Sequence, residues 1–433
     1  MRHFMGSEVV ARPRGERARR IAVRLAAVAT LVLQLASARE PRPLEAAPAT
    51  AVVRELEAPA APGSLAPSLS ATPDGRLLLS WLEPRADGVH ALRLARRAPG
   101  GDWSQPTTVA EGASWFVNWA DFPHVAALGD GTLVAHWLEK QPRGTTYDYD
   151  IRLTRSRDGG HSWEPAFPPY REAAASEHGF VALAPLDAAR MGILFLDGRE
   201  TKRKDGAMTL RFTTLARDAP PAPDVLVDAR VCDCCQTALA RTARGLVAAY
   251  RDRSDTEVRD VAVARFENGR WSEPVFPGAE GWQVHGCPVN GPAIAAAGER
   301  VVVAWFTMAG DSPRVRLALS DDSGKSFGPP QVVDDGSPIG RVGVALPGGA
   351  GGGPGDGSAV VSWLEQSDGP GASLRVRRVG EGRVPSPSLA VVATSPARSS
   401  GVPQLAASGG ELVAAWRDSS EPARIRTAIV AVP

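Results

Sequence analysis

The sequence predicts an all-β fold: a β-propeller of seven blades, or of six if one unit is irregular. Three observations carry this. A short apolar strand, a polar turn and a second apolar strand recur seven times, at intervals of roughly 50–60 residues. A third strand follows each hairpin, and a more ragged fourth follows most. The composition, with 433 residues, 43% hydrophobic, 44 Gly and 37 Pro, suits many strands joined by turns. Four-stranded sheets repeated in this way bury their faces only against one another, and a ring closes the array.

In chain order, a basic stretch from Arg12 to Arg20 precedes an apolar run, Ile21 to Leu35, and the small residues Ala36, Ser37 and Ala38. That order is an export signal, with cleavage expected after Ala38, so residues 1–38 are read as a signal peptide. The pair Arg19-Arg20 is a weak twin-arginine feature. Residues 39–50, rich in Pro and Ala, form a linker, and residues 51–433 form the propeller. The seven hairpins run over 67–83, 123–139, 180–197, 235–252, 292–307, 341–365 and 403–418. Third strands follow at 92–96, 151–156, 210–215, 260–266, 315–320, 374–379 and 425–430. The seventh unit ends after its third strand, so the spare strand at 51–56 is expected to supply its fourth and close the ring. The run Gly348 to Gly357 reads as a surface insertion in the sixth hairpin.

The formal net charge is +1, which gives no ground for nucleic-acid binding. Basic residues are almost all Arg, with Lys only at 140, 202, 204 and 325. This is a compositional bias and not a patch. No membrane span is expected in the mature chain.

Between third and fourth strands, Ser156-Arg157-Asp158-Gly159-Gly160-His161-Ser162-Trp163 and Ser320-Asp321-Asp322-Ser323-Gly324-Lys325-Ser326-Phe327 share the pattern Ser-x-Asp-x-Gly-x-x-aromatic. Degenerate copies end at Trp103 and Trp271. In such a turn the carboxylate accepts from turn amides, Gly takes positive φ, and the aromatic ring packs between sheets. Ser156, Asp158, Gly160, Trp163, Ser320, Asp322, Gly324 and Phe327 are therefore structural. The turns resemble the Asp boxes of the sialidase (neuraminidase) superfamily. That resemblance implies a propeller in which three arginines clamp a substrate carboxylate, a Tyr paired with Glu is nucleophile and an Asp is acid/base. The family's early Arg-Ile-Pro motif is absent here, and Tyr147, Tyr149, Tyr170 and Tyr250 are the only tyrosines.

First-strand starts and second-strand ends must lie on one face, the mouth. At consecutive first-strand starts stand His124, His178, the run Cys232-Asp233-Cys234-Cys235, and His285 with Cys287. Thiolate and imidazole together suit copper first and zinc second. The expected ligand set is Cys232, Cys234, Cys235, His285 and Cys287, with His178 and His124 as further ligands and Met308 as a thioether. The alternative, weighed about evenly, is two disulfides: Cys287 to one of the clustered cysteines as an inter-sheet staple, and a local pair between the other two.

Asp197-Gly198-Arg199, Tyr250-Arg251-Asp252 and Trp416-Arg417-Asp418 also reach this face, with Arg341 at a first-strand start. Arg199, Arg251 and Arg417 can clamp an anion and Tyr250 can act with an acid; partnered charges at a rim are the plainer reading of each pair. Glu83, Glu139 and Glu365 recur after Trp-Leu and read as repeat ancestry. Trp81, Trp137, Trp305, Trp363 and Trp416 are expected between blades. Trp115, Trp119 and Trp282 belong to loops leading to the mouth, where they either cover the channel or meet a ligand.

Three functions follow. The first is an exported propeller holding a soft metal or small ligand at its mouth, as a binding protein or a metal-dependent enzyme. The second is a sialidase-type glycoside hydrolase. The third is a protein-interaction platform stapled by disulfides.

Overall fold

The computed structural model describes residues 52–172, 174–348, 357–380 and 385–432. The expected signal peptide, its linker and most of the Gly348–Gly357 insertion lie outside these residues. Among them, seven antiparallel sheets follow one another along the chain, with three short 3-10 turns as the helical elements. Among the described residues, no helix is long and apolar enough to cross a membrane.

The first strands are Leu65–Ala71, His124–Ala127, His178–Pro185, Ala238–Thr242, Ala293–Ala297, Pro338–Ala345 and Gln404–Ser408. Each lies beside the first strand of the next blade, and the seventh lies beside the first. This is a seven-bladed propeller. The ring closes as the sequence requires: Val52–Leu56 pairs antiparallel with Arg424–Ala431 as the outer strand of blade 7, Leu56 opposite Thr427. Blade 2 has three strands, and the bridge between Leu153 and Phe167 occupies the place of the fourth.

The recurring Trp-Leu-Glu has a packing reason. Trp81, Trp305, Trp363 and Trp416 are almost wholly buried among neighbouring strands. Trp81 Nε1 donates to Glu83 at 3.2 Å and Trp363 Nε1 to Glu365 at 2.5 Å, so the acid two positions on satisfies the buried indole. Across the sheet each of the five tryptophans faces an arginine of the third strand: Arg93, Arg152, Arg316, Arg375 and Arg426. Arg152 Nε in turn donates to Glu139 at 2.5 Å. These glutamates are structural.

In the turn at 156–163, Asp158 accepts from the amides of His161 at 3.0 Å and Ser162 at 2.9 Å, and Gly160 has φ +88. Asp322 accepts from Lys325 and Ser326, both at 2.9 Å, in the corresponding turn. Hydrogen bonds to the charged form hold both carboxyls below their usual range despite the cost of desolvation.

Candidate functional site

The first strands of all seven blades surround an axial cavity of about 230 Å³, lined by Ser68, His124, Gln236, Thr237, Arg341 and Gln404 among apolar neighbours. At the mouth end, Ala66, Phe180 and Arg341 adopt left-handed φ of 54, 50 and 54 degrees, where the registers of blades 1, 3 and 6 shift. Such bulges re-aim side chains and leave an amide to be satisfied. Asp121 accepts from Phe180 N with both oxygens at 2.9 Å, and Asn290 Oδ1 accepts from Arg341 N at 2.8 Å. The acid does in blade 2 what the amide does in blade 5. Burial pushes Asp121 up to about 8, against the lowering effect of the Phe180 amide. Tyr149 OH donates to Glu177 at 2.7 Å and lies 3.2 Å from Asp121, and burial pushes Glu177 up to about 7. Tyr149 is itself buried under Phe116, ring centroids 4.0 Å apart.

Across the mouth, the bulge at Arg341 turns its buried guanidinium into the segment before blade 7. There it donates to Ala397 O at 3.0 Å, Ser400 Oγ at 2.8 Å, Gly401 O at 2.9 Å and Pro396 O at 3.0 Å. Arg417 Nη1 donates to Ser399 O at 2.5 Å. Arg398, exposed on the 3-10 turn Arg398–Ser400, completes a group of three guanidiniums with no ion pair to any described acid. Burial, and then Arg398, lower Arg341 to about 10. Trp119, carried over from blade 2, lies 4.8 Å below Arg341 and 5.9 Å from Arg398. Its loop thus crosses the channel mouth.

The other expected clamp residues are occupied elsewhere. Arg199 is paired with Asp197 at 2.7 Å and Asp224 at 3.3 Å. Arg251 is buried, donates to the carbonyls of Arg259, Asn290 and Phe306, and feels Asp260 and Glu280. Tyr250 OH donates to Asp228 at 2.7 Å, and burial raises its pKa. Arg417 shares the 396–401 segment with Arg341, whereas Arg199, Arg251 and Tyr250 each close a local network.

The sulfurs gather, and the imidazoles do not. Cys232 is bonded to Cys235 and Cys234 to Cys287, with Cα separations of 5.8 and 6.0 Å, and no cysteine is free. This is the staple-plus-local-pair arrangement. Among the described residues, the one group of three metal-capable side chains with ligand atoms within 4.8 Å of one another is Cys232, Cys234 and Cys235. His285 is exposed and stands outside it, as does exposed Met308. His178 is fully buried, 3.3 Å from Tyr149 O and stacked on Tyr170. His124 lines the axial cavity, and its Nδ1 is 2.5 Å from Ser68 Oγ. The cysteines are not among the residues lining that cavity; the blade 4 lining begins at Gln236, one residue past Cys235.

No family model matches the chain, and no curated protein matches it by sequence. Solved structures do match. A polysaccharide lyase of family PL25, an ulvan lyase bound to -[GlcA(1-4)Rha3S]-, aligns over 86% of this chain and 95% of its own at 12% identity and a TM-score of 0.55. The fold is that of the sialidase-like propellers. The Hadza microbial sialidase Hz136 aligns over 69% of this chain at 13% identity and a TM-score of 0.42. The sialidase of Trypanosoma rangeli aligns over 76% at 13% identity and a TM-score of 0.44. The chain spans 63% and 56% of the lengths of these two sialidases.

On this propeller, the residues that sequence reasoning missed are Arg398, Asp121 as a bulge acceptor, and the Tyr149–Glu177 pair. Arg398 carries no repeat signal, since it belongs to a loop. Asp121 had one: it precedes His124 as Asn290 precedes Ala293.

Proposed function

We propose that the protein binds an anionic saccharide, carrying carboxylate or sulfate, at the mouth of the propeller between Arg341, Arg398, Arg417 and Trp119. One observation carries the reading. Arg341 is a buried cation whose charged neighbour is another arginine, whereas Arg251, which is more deeply buried, has acids nearby. A buried charge without a counter-ion is costly, and an anion at the mouth supplies one. Trp119 offers an aromatic ring beside the same charges. The reading is one of binding: Asp121 is taken by the Phe180 amide, and Tyr149 and Tyr250 are buried.

Fold does not set function, so the ulvan lyase lends only a ligand class to try first. Calorimetric titration with glucuronate-containing and sialylated oligosaccharides is expected to show salt-sensitive binding. Arg398→Ala or Arg417→Ala should weaken it by roughly 10–100-fold, as expected for a charge-assisted hydrogen bond. Equal affinity for neutral sugars, or no change in either variant, would overturn the reading. Export through residues 1–38 belongs to the same proposal, and paired cysteines suit an oxidising compartment.

A second reading is favoured by the sulfurs. Once reduced, Cys232, Cys234 and Cys235 offer three thiolates within 4.8 Å to copper or zinc, without a histidine. Stoichiometric metal uptake by reduced protein, lost in Cys234→Ser, is the expected result; uptake that survives the substitution contradicts it.

A further inference from the structure

The two disulfides differ in access. Cys287 is exposed and Cys234 half-buried, while Cys232 and Cys235 are about as buried as any residue in the protein. They also touch: Cys232 Sγ and Cys234 Sγ, which belong to different bonds, are 4.0 Å apart. The Arg259 guanidinium lies 3.5 Å from Cys232 Sγ, and Arg253 neutralises Asp233, which stands between the two cysteines, at 3.0 Å. Both guanidiniums also pair with Glu257 at 2.7 Å, so the sulfurs meet beside a charge-balanced network.

We propose that this cluster is a thiol–disulfide exchange site for an external dithiol, with Cys234–Cys287 as its entry bond and Cys232–Cys235 as an internal acceptor. A thiolate of the dithiol attacks exposed Cys287 Sγ and expels the Cys234 thiolate. The second thiol of the dithiol resolves that mixed disulfide, leaving the dithiol oxidised and Cys287 as a thiol. The Cys234 thiolate then attacks Cys232 Sγ, forms Cys232–Cys234 and expels Cys235, which takes a proton. Two electrons and two protons pass from the dithiol to the protein, which ends with thiols at Cys235 and Cys287. The last step runs forward because a buried thiol is held protonated and packs as a small apolar group, whereas Cys234 is half-hydrated. The site depends on neither ligand reading given above.

The test uses the full oxidised protein with one molar equivalent of dithiothreitol. It is quenched in acid, alkylated under denaturing conditions and mapped by mass spectrometry. The expected species carries label on Cys235 and Cys287, with Cys232 linked to Cys234. Label on Cys234 and Cys287 with Cys232–Cys235 intact overturns the proposal, and so does a mixture of fully oxidised and fully reduced protein. In Cys287→Ser, where Cys234 starts without its partner, the Cys232–Cys234 link should form with no reductant; its absence in folded variant protein also counts against the relay.

Discussion

At the scale of single residues, Asp121 behaves as an amide would. Both of its oxygens accept from Phe180 N, as Asn290 accepts from Arg341 N, and burial keeps it protonated to about pH 8. Glu177 is likewise held up to about 7. Raised folded pKa values stabilise the fold below the unfolded carboxyl range, near 4, and that contribution is lost as pH rises through 7 to 8. Asp121→Asn should therefore match the wild type in thermal unfolding at about pH 3.5, below the unfolded carboxyl range, and exceed it at about pH 9. His124 and His136 work in the opposite sense. They face each other across blade 2, and burial lowers them to about 4 and about 3. Neither ring nitrogen of His136 has a hydrogen-bond partner. Their contribution is present above pH 6.5 and is lost as pH falls towards 4 and 3, because the unfolded chain takes up protons first. His136→Leu should flatten the acid side of the stability curve measured by denaturant titration at pH 4 to 7; an unchanged slope would show that the imidazole titrates freely in the fold.

At the scale of elements, the Trp-x-Glu of a second strand and the Arg opposite it form one unit, legible as a recurring Trp-Leu-Glu but not as a network. The sequence could count the glutamates, yet only the register placing Trp81 opposite Arg93 and Trp363 opposite Arg375 explains them. The turn at 156–163 is the other repeated element. A Cβ on Gly160 would lie 2.4 Å from Arg96 Nη2 and 3.2 Å from Leu133 Cδ1, at a φ of +88. Gly160→Ala should cost about 1–3 kcal/mol from left-handed strain and crowding, read as a lower midpoint in urea. The bulges at Phe180 and Arg341 were illegible, since neither residue favours positive φ.

At the scale of the whole molecule, stability rests on closing the ring. Val52–Leu56 completes blade 7, Leu56 is buried, and Arg426 pairs with Glu55 across the closure. Deleting residues 52–56 removes five ladder positions and one buried leucine. It should lower stability by roughly 3–5 kcal/mol, and the loss should appear as a drop in melting temperature and faster hydrogen exchange in the strand Arg424–Ala431. Equal melting temperatures would mean that blade 7 holds without its outer strand.

The sequence alone determined the architecture: the period, the seven hairpins, the closing strand and the two turns held by Asp158 and Asp322, because apolar alternation and turn chemistry are local and repeat. It also placed the cysteines together, since they share one end of neighbouring blades. Only the tertiary structure decided which sulfurs are bonded, that His124, His178 and His285 go elsewhere, and that Arg341 and Arg398 meet beside Trp119 while Arg417 holds the same segment. Those outcomes depend on where loops cross the mouth and on which acid reaches which arginine first, and neither distance is written in the spacing of residues along the chain.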